Sequence, residues 1–180
     1  MGAVIAVVAV VAFVAAYLTW TAGRLDRLHA RVDAARASLD AQLVRRAAVA
    51  VEVATLLDTD ARLLLERAAH DARAWDGEHG PAREDVENAL GRALNAGLDA
   101  VGVDRLVGRD AALADELGVA ATKVVLARRF FNDAVRDTLS LRHARVVRWL
   151  RLAGRAPLPR YFEIDDTPPP SLASPPVGAA

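Results

Sequence analysis

The stretch "DAALADELGVAATKVVLARRFFNDAVRDTLSLR", Asp110 to Arg142, decides the fold. Leu113, Leu117, Ala120, Val124, Ala127, Phe131, Ala134, Thr138 and Leu141 succeed one another at steps of three or four. That rhythm lines them along one side of an α-helix, as in the seam of a coiled coil or bundle. Asp110 is placed to cap its start, and Gly118 is a local weak point. Asn132 and Asp133 fall away from the seam. Asp133 stands four residues after Arg129 and three before Arg136, the spacing of weak surface ion pairs. Asn132 is a candidate polar contact with a neighbouring helix.

A helix this long needs a partner alongside it, and the chain supplies one upstream. No proline or glycine occurs from Arg24 until Gly77. Leu25, Leu28, Val32, Ala35, Leu39 and Leu43 step by three and four, followed more loosely by Ala47, Ala50, Ala54, Leu57, Ala61 and Leu64. The expectation is one helix of about 50 residues, about 75 Å long. "DGEHGPARED", Asp76 to Asp85, then breaks the pattern and offers acidic residues for a new helix start. A shorter helix is expected from about Arg83 to Val101, and a loosely structured connection between Gly102 and Gly108. The second long helix should stop near Gly154, with Pro157 close behind.

Ahead of all this lies "AVIAVVAVVAFVAAYLTWTA", Ala3 to Ala22, an uncharged apolar run of about 20 residues, roughly 30 Å as a helix. Tyr17 and Trp20 sit near its end, where amphipathic rings favour the headgroup zone. A cleaved signal peptide usually has a basic n-region, a shorter apolar core and a small-x-small cleavage site, which this run lacks. It reads as a retained anchor. Arg24, Arg27, Arg31 and Arg36 follow it, so the N-terminus is expected outside and the helical domain on the cytoplasmic side of the cell membrane. The fold class is all-α: an N-terminal transmembrane helix (residues 1–23), then a long antiparallel helical hairpin or bundle (24–163). The Pro-rich remainder (164–180) is expected to be disordered.

"SLDAQLVRRA" (Ser38 to Ala47), "ELGVAATKVVLARRFFNDAV" (Glu116 to Val135) and "YFE" (Tyr161 to Glu163) follow one another along the chain. Together these three segments resemble the LemA family of bacterial membrane proteins. With the leading apolar run, the likeness covers most of residues 1 to 165. It implies an N-terminal anchor with its N-terminus outside and a domain of long antiparallel helices. It implies no reaction. The chain departs from the family pattern at Ala47, at Val51 and Glu52, and at Thr138 and Leu139. Of the polar pairs that relatives carry, only the one at Asn132 remains.

Composition narrows the functional classes. Twenty-three basic side chains balance 23 acidic ones, so bulk charge favours no particular partner, nucleic acid included. The absence of cysteine removes disulfides, thiol catalysis and thiolate metal sites. No Gly-x-Ser-x-Gly, phosphate loop or nucleotide-hydrolase signature occurs, and no enzymatic activity or cofactor is expected. His70, Asp71, Asp76, Glu78 and His79 gather at the predicted turn, but their spacing is that of a solvated loop rather than a metal site. "LRHARVVRWLRLAGR" holds Arg142, Arg145, Arg148 and Arg151 with a single Trp, too little aromatic surface to stack bases. With Arg24, Arg27 and Arg31 these arginines form a candidate contact for anionic membrane lipid. The functional expectation is a membrane-anchored scaffold or interaction protein, with an unidentified protein partner and a homo-oligomer both in view. The alternative is an envelope-associated sensor or regulatory ligand-binding bundle. A scaffold should expose an apolar stripe, whereas a sensor should enclose a polar-lined cavity.

Overall fold

The computed structural model of the 180-residue chain describes residues 1–77, 79–149 and 157–167. Six helices occur in these residues, and no strand: α1 Gly2–Ala54, α2 Thr59–Arg73, α3 Pro81–Val101, α4 Val103–Arg109, α5 Ala111–Arg142 and α6 Arg145–Trp149. They form two compact units. One comprises Met1–Arg36 with Phe131–Tyr161, the other Ala37–Phe130 with Phe162–Ala180.

In the first unit, α1 carries a stretch long and apolar enough to cross a membrane, with mean hydropathy 2.5 and none of it buried in the protein. Exposure along the whole stretch separates it from the core helix of a soluble domain. Thr19 and Thr21 lie at its end, and their hydroxyls donate to the carbonyls of Ala15 and Tyr17 at 2.9 and 2.8 Å. Such bonds within the helix satisfy a hydroxyl where water is scarce. The core of this unit is built from Leu25 and Val32 of α1, Phe131, Ala134, Val135 and Thr138 of α5, and Val147 of α6. Thr138 tolerates full burial because its hydroxyl donates to Ala134 O at 2.8 Å.

The second unit has one continuous core: Ala47 to Leu57 of α1 and its end, Leu65, Ala69 and Ala72 of α2, Leu90, Leu94 and Leu98 of α3, Leu106 of α4, and Leu113 to Ala120 of α5. Leu39, Leu43 and Val124 are buried in this unit as well. Every seam position read from the sequence of α5 is buried except Leu141, which is half-buried.

Three local expectations are corrected. The first long helix does not run on toward Gly77 but ends at Ala54. The amides of Thr55, Leu56 and Leu57 bond three residues back, at 3.0–3.1 Å, the tightened winding that closes a helix. Asp58 then turns extended and starts α2. This break resets the helical phase by one residue. Leu65 therefore enters the core, while Leu64, assigned to the seam on the basis of an unbroken helix, is exposed.

Next, the region from Gly102 to Gly108 is not a loose connection. Gly102, at φ 77, ends α3 with its amide on Leu98 O, and α4 follows at once, burying Leu106 completely. A left-handed backbone at that point favours glycine.

Finally, α5 stops at Arg142 rather than near Gly154. His143 and Ala144 separate it from α6 without a proline or glycine to mark the place. Gly154 itself lies outside the described residues.

Candidate functional sites

The basic residues singled out in the sequence fall in the first unit and are only partly brought together. Arg24 and Arg31 line a groove of about 520 Å³ with Leu28 of α1 and Asp137, Ser140, Leu141 and Ala144 at the end of α5. The Arg24 guanidinium carbon lies 5.9 Å from the centre of the Trp20 ring, within cation–π range. Arg31 Nη1 is 3.0 Å from Asp137 Oδ2. Arg142 is turned inward: its Nη1 donates to Pro157 O at 2.8 Å and lies 3.4 Å from His29 Nε2. Arg27, Arg145 and Arg148 are exposed and do not line the groove, and Arg151 lies outside the described residues. Asn132 is half-buried and has a partner of its own. Asp133 pairs with Arg136 at 2.9 Å, as its spacing predicts.

The second unit contains a site that sequence reading missed. Along α3 the buried positions are Arg83, Glu87, Leu90, Leu94 and Leu98, again at steps of three and four. The first two seam positions therefore carry charge rather than apolar surface. Glu87 is ion-paired with two guanidiniums: Oε2 accepts from Arg46 Nη2 at 2.6 Å, and Oε1 lies 2.7 Å from Arg83 Nη2. All three side chains are more than nine-tenths buried. Arg83 also donates to Ala72 O at 2.8 Å and lies 5.9 Å from the Trp75 ring. Burying charge is costly unless it is paired and hydrogen-bonded; here the charges are paired, while Arg46 Nε and Arg83 Nε are buried without a hydrogen-bond partner among the described residues. Pairs such as Arg83 and Glu87, four apart on a helix, ordinarily sit at the surface, so nothing in the local pattern signals their burial.

Above α3 lies the segment Phe162 to Thr167. Phe162 and Ile164 are buried, while Glu163 between them and Asp165 after them are exposed. The amide of Glu163 donates to Glu84 Oε1 and that of Asp165 to Asn88 Oδ1, both at 2.8 Å. The geometry is commensurate. Two residues of extended chain advance about 6.6 Å, and four residues of helix about 6 Å, so alternate amides meet successive turns of α3. Asp166 locks the end, with both carboxylate oxygens on Arg128 at 2.6 and 2.9 Å. The docked segment thus extends to Thr167, past the point where disorder was expected to begin; residues 168–180 lie outside the described residues.

This segment also corrects the reading of the turn histidines. The side chain of His79 is largely covered rather than solvated: its Nε2 is 2.6 Å from Asp40 Oδ1, and its ring stacks on Phe162 with centroids 4.8 Å apart. His70 of α2 is exposed, and Glu78 is outside the described residues. Phe162 is the reason the His79 side chain is covered, and it arrives from 83 residues away in sequence. No cluster of three or more metal-ligating side chains occurs among the described residues.

A cavity of about 220 Å³ opens where the docked segment ends. Beside Gly91, Leu94 and Ala121 it is lined by the polar side chains of Arg46, Asn88, Arg92 and Asn95 from the helices, and of Asp165, Asp166 and Thr167 from the segment. Elsewhere in the same unit, apolar surface remains uncovered. Val119, Leu126 and Phe130 are exposed on α5, at spacings of seven and four that place them on one face, about a third of a turn from the buried seam. Compared with known proteins, the chain matches no family model, no curated protein and no solved structure.

Proposed function

We propose that the protein is a membrane-tethered helical interaction module of the LemA type. In this reading the apolar stretch of α1 is a retained single-pass anchor, the N-terminus lies outside, and the helical domain is cytoplasmic. The domain is an antiparallel hairpin of α1 and α5. Two contacts within the first unit favour that pairing: Arg31 meets Asp137, and His29, two residues earlier, meets Arg142, five residues later. The groove at Arg24 and Arg31 begins within one turn of the end of the apolar run, at headgroup depth, and receives anionic lipid.

The observation that carries the interaction reading is the stripe of Val119, Leu126 and Phe130. Three large apolar side chains aligned on one face of a water-side helix mark a surface for association with another protein or a second copy of the chain. A photo-crosslinking residue in place of Val119 is expected to give one dominant adduct in cells, lost in Phe130→Glu. An adduct that persists in Phe130→Glu, or no adduct at all, removes the basis for this reading. A reporter fused after Glu163 tests the orientation independently. The polar-lined cavity favours a second reading, a bundle that binds a small ligand.

A further inference from the structure

We infer that the cavity beside Thr167 is a binding site for a small oxyanion, a carboxylate or phosphate group. This inference stands on the cavity itself and does not depend on the interaction reading above.

Charge is the first argument. The cavity wall and the ion pairs directly attached to it contain four guanidiniums, of Arg46, Arg83, Arg92 and Arg128, against three carboxylates, of Glu87, Asp165 and Asp166. The carboxylates are largely spent. Glu87 is shared by two arginines, Asp166 gives both oxygens to Arg128, and Asp165 Oδ1 accepts from the Thr167 amide at 3.3 Å. Arg46 and Arg83 share the one carboxylate of Glu87 in a site more than nine-tenths closed to water, so the trio carries one net positive charge, and Arg46 Nε is buried without a hydrogen-bond partner among the described residues. An uncompensated buried charge is unfavourable, and an anion entering the cavity relieves it.

Position is the second. Glu84 and Asn88 are successive teeth of α3 that accept the amides of the docked segment. The next tooth is Arg92, a donor, which cannot accept another amide, and there the segment turns into its own Asp165–Thr167 contact. Arg92 lines the cavity and forms no ion pair among the described residues. Asn88, whose amide oxygen is already taken, has its NH₂ donors remaining, and Asn95 and Thr167 add donors on the same wall. The donors of Arg46, Arg92, Asn88, Asn95 and Thr167 face the same space, while Asp166 is already engaged by Arg128, a set complementary to an acceptor-only ligand.

Size is the third. At about 30 Å³ per water, 220 Å³ holds roughly seven water-sized groups. That is room enough for a phosphate ion or a short carboxylate.

The test uses the full chain in detergent micelles, titrated with inorganic phosphate or with acetate, with chloride holding ionic strength constant. The reading is the thermal midpoint, together with the amide resonances of Asp165 and Thr167. At least one probe is expected to bind saturably and to move both resonances, and the preferred probe distinguishes a phosphate from a carboxylate source. Arg92→Gln is expected to weaken that binding about tenfold without altering the unliganded midpoint, and Asn95→Ala to weaken it less. Arg129→Gln, an exposed arginine on α5 outside the cavity lining, is expected to leave it unchanged. Arg46 is avoided because its loss would disturb the core. No saturable response to either probe, or equal responses in Arg92→Gln and the unmodified chain, would overturn the assignment.

Discussion

Arg46 Nη2 lies 2.6 Å from Glu87 Oε2, with 6% of the arginine side chain and none of the glutamate exposed. Because the same carboxylate also holds Arg83, Glu87 is the single anion between two buried cations. Glu87→Gln should therefore lower unfolding free energy by about 3–5 kcal/mol, measured by denaturant titration. Arg45 and Glu116 form a control at 2.8 Å, with 55% and 42% of their side chains exposed. Glu116→Gln should change stability by less than about 1 kcal/mol, since water screens such a pair. Equal effects from the two substitutions would mean that the buried group is not structural.

The adjacent phenylalanines provide a second contrast. Phe131 is fully buried, whereas Phe130 is 64% exposed. Phe131→Ala should destabilise by about 3–5 kcal/mol through lost burial and the cavity left behind. Phe130→Ala should stay within about 0.5 kcal/mol.

Two glycines in the interior of α3 should respond with different signs. A Cβ at Gly91 would meet Asp165 O at 3.6 Å, an ordinary contact, while one at Gly97 would come within 2.7 Å of Leu57 Cδ1. Gly91→Ala should stabilise by about 0.5–1 kcal/mol, the gain in helix propensity. Gly97→Ala should fall at least about 1 kcal/mol below it, because Leu57 is buried and must shift within a packed core. Thermal midpoints measured side by side decide the order.

The docked C-terminal segment is open to a local measurement. Asp166→Asn removes the charge from a two-point contact with Arg128. Hydrogen exchange at the amides of Glu163 and Asp165, each bonded to an α3 side chain, should accelerate about tenfold, equivalent to about 1.4 kcal/mol of local opening. Amides in the middle of α3 should be unaffected, and acceleration there as well would show that the segment opens only with the whole unit.

From the amino-acid order alone, the helical class, the apolar stretch of α1 and the buried side of α5 are determined, because each is a periodicity or a length that neighbouring residues set between themselves. The seam from Leu113 to Thr138 needed no tertiary information: apolar side chains at steps of three and four can share one face only in a helix. What tertiary structure decided is everything that depends on residues distant in sequence. The reset from Leu64 to Leu65 follows from a turn that lets α2 reach the core, not from a proline or glycine. The His79 side chain is covered because Phe162 stacks on it. Arg46, Arg83 and Glu87 occupy seam positions that look like surface charge until they are placed against one another, since a charge can be buried only where another element brings its counterpart. The cavity at Arg92 exists for the same reason: it is the place on α3 where a segment more than 70 residues away runs out of acceptors to bond.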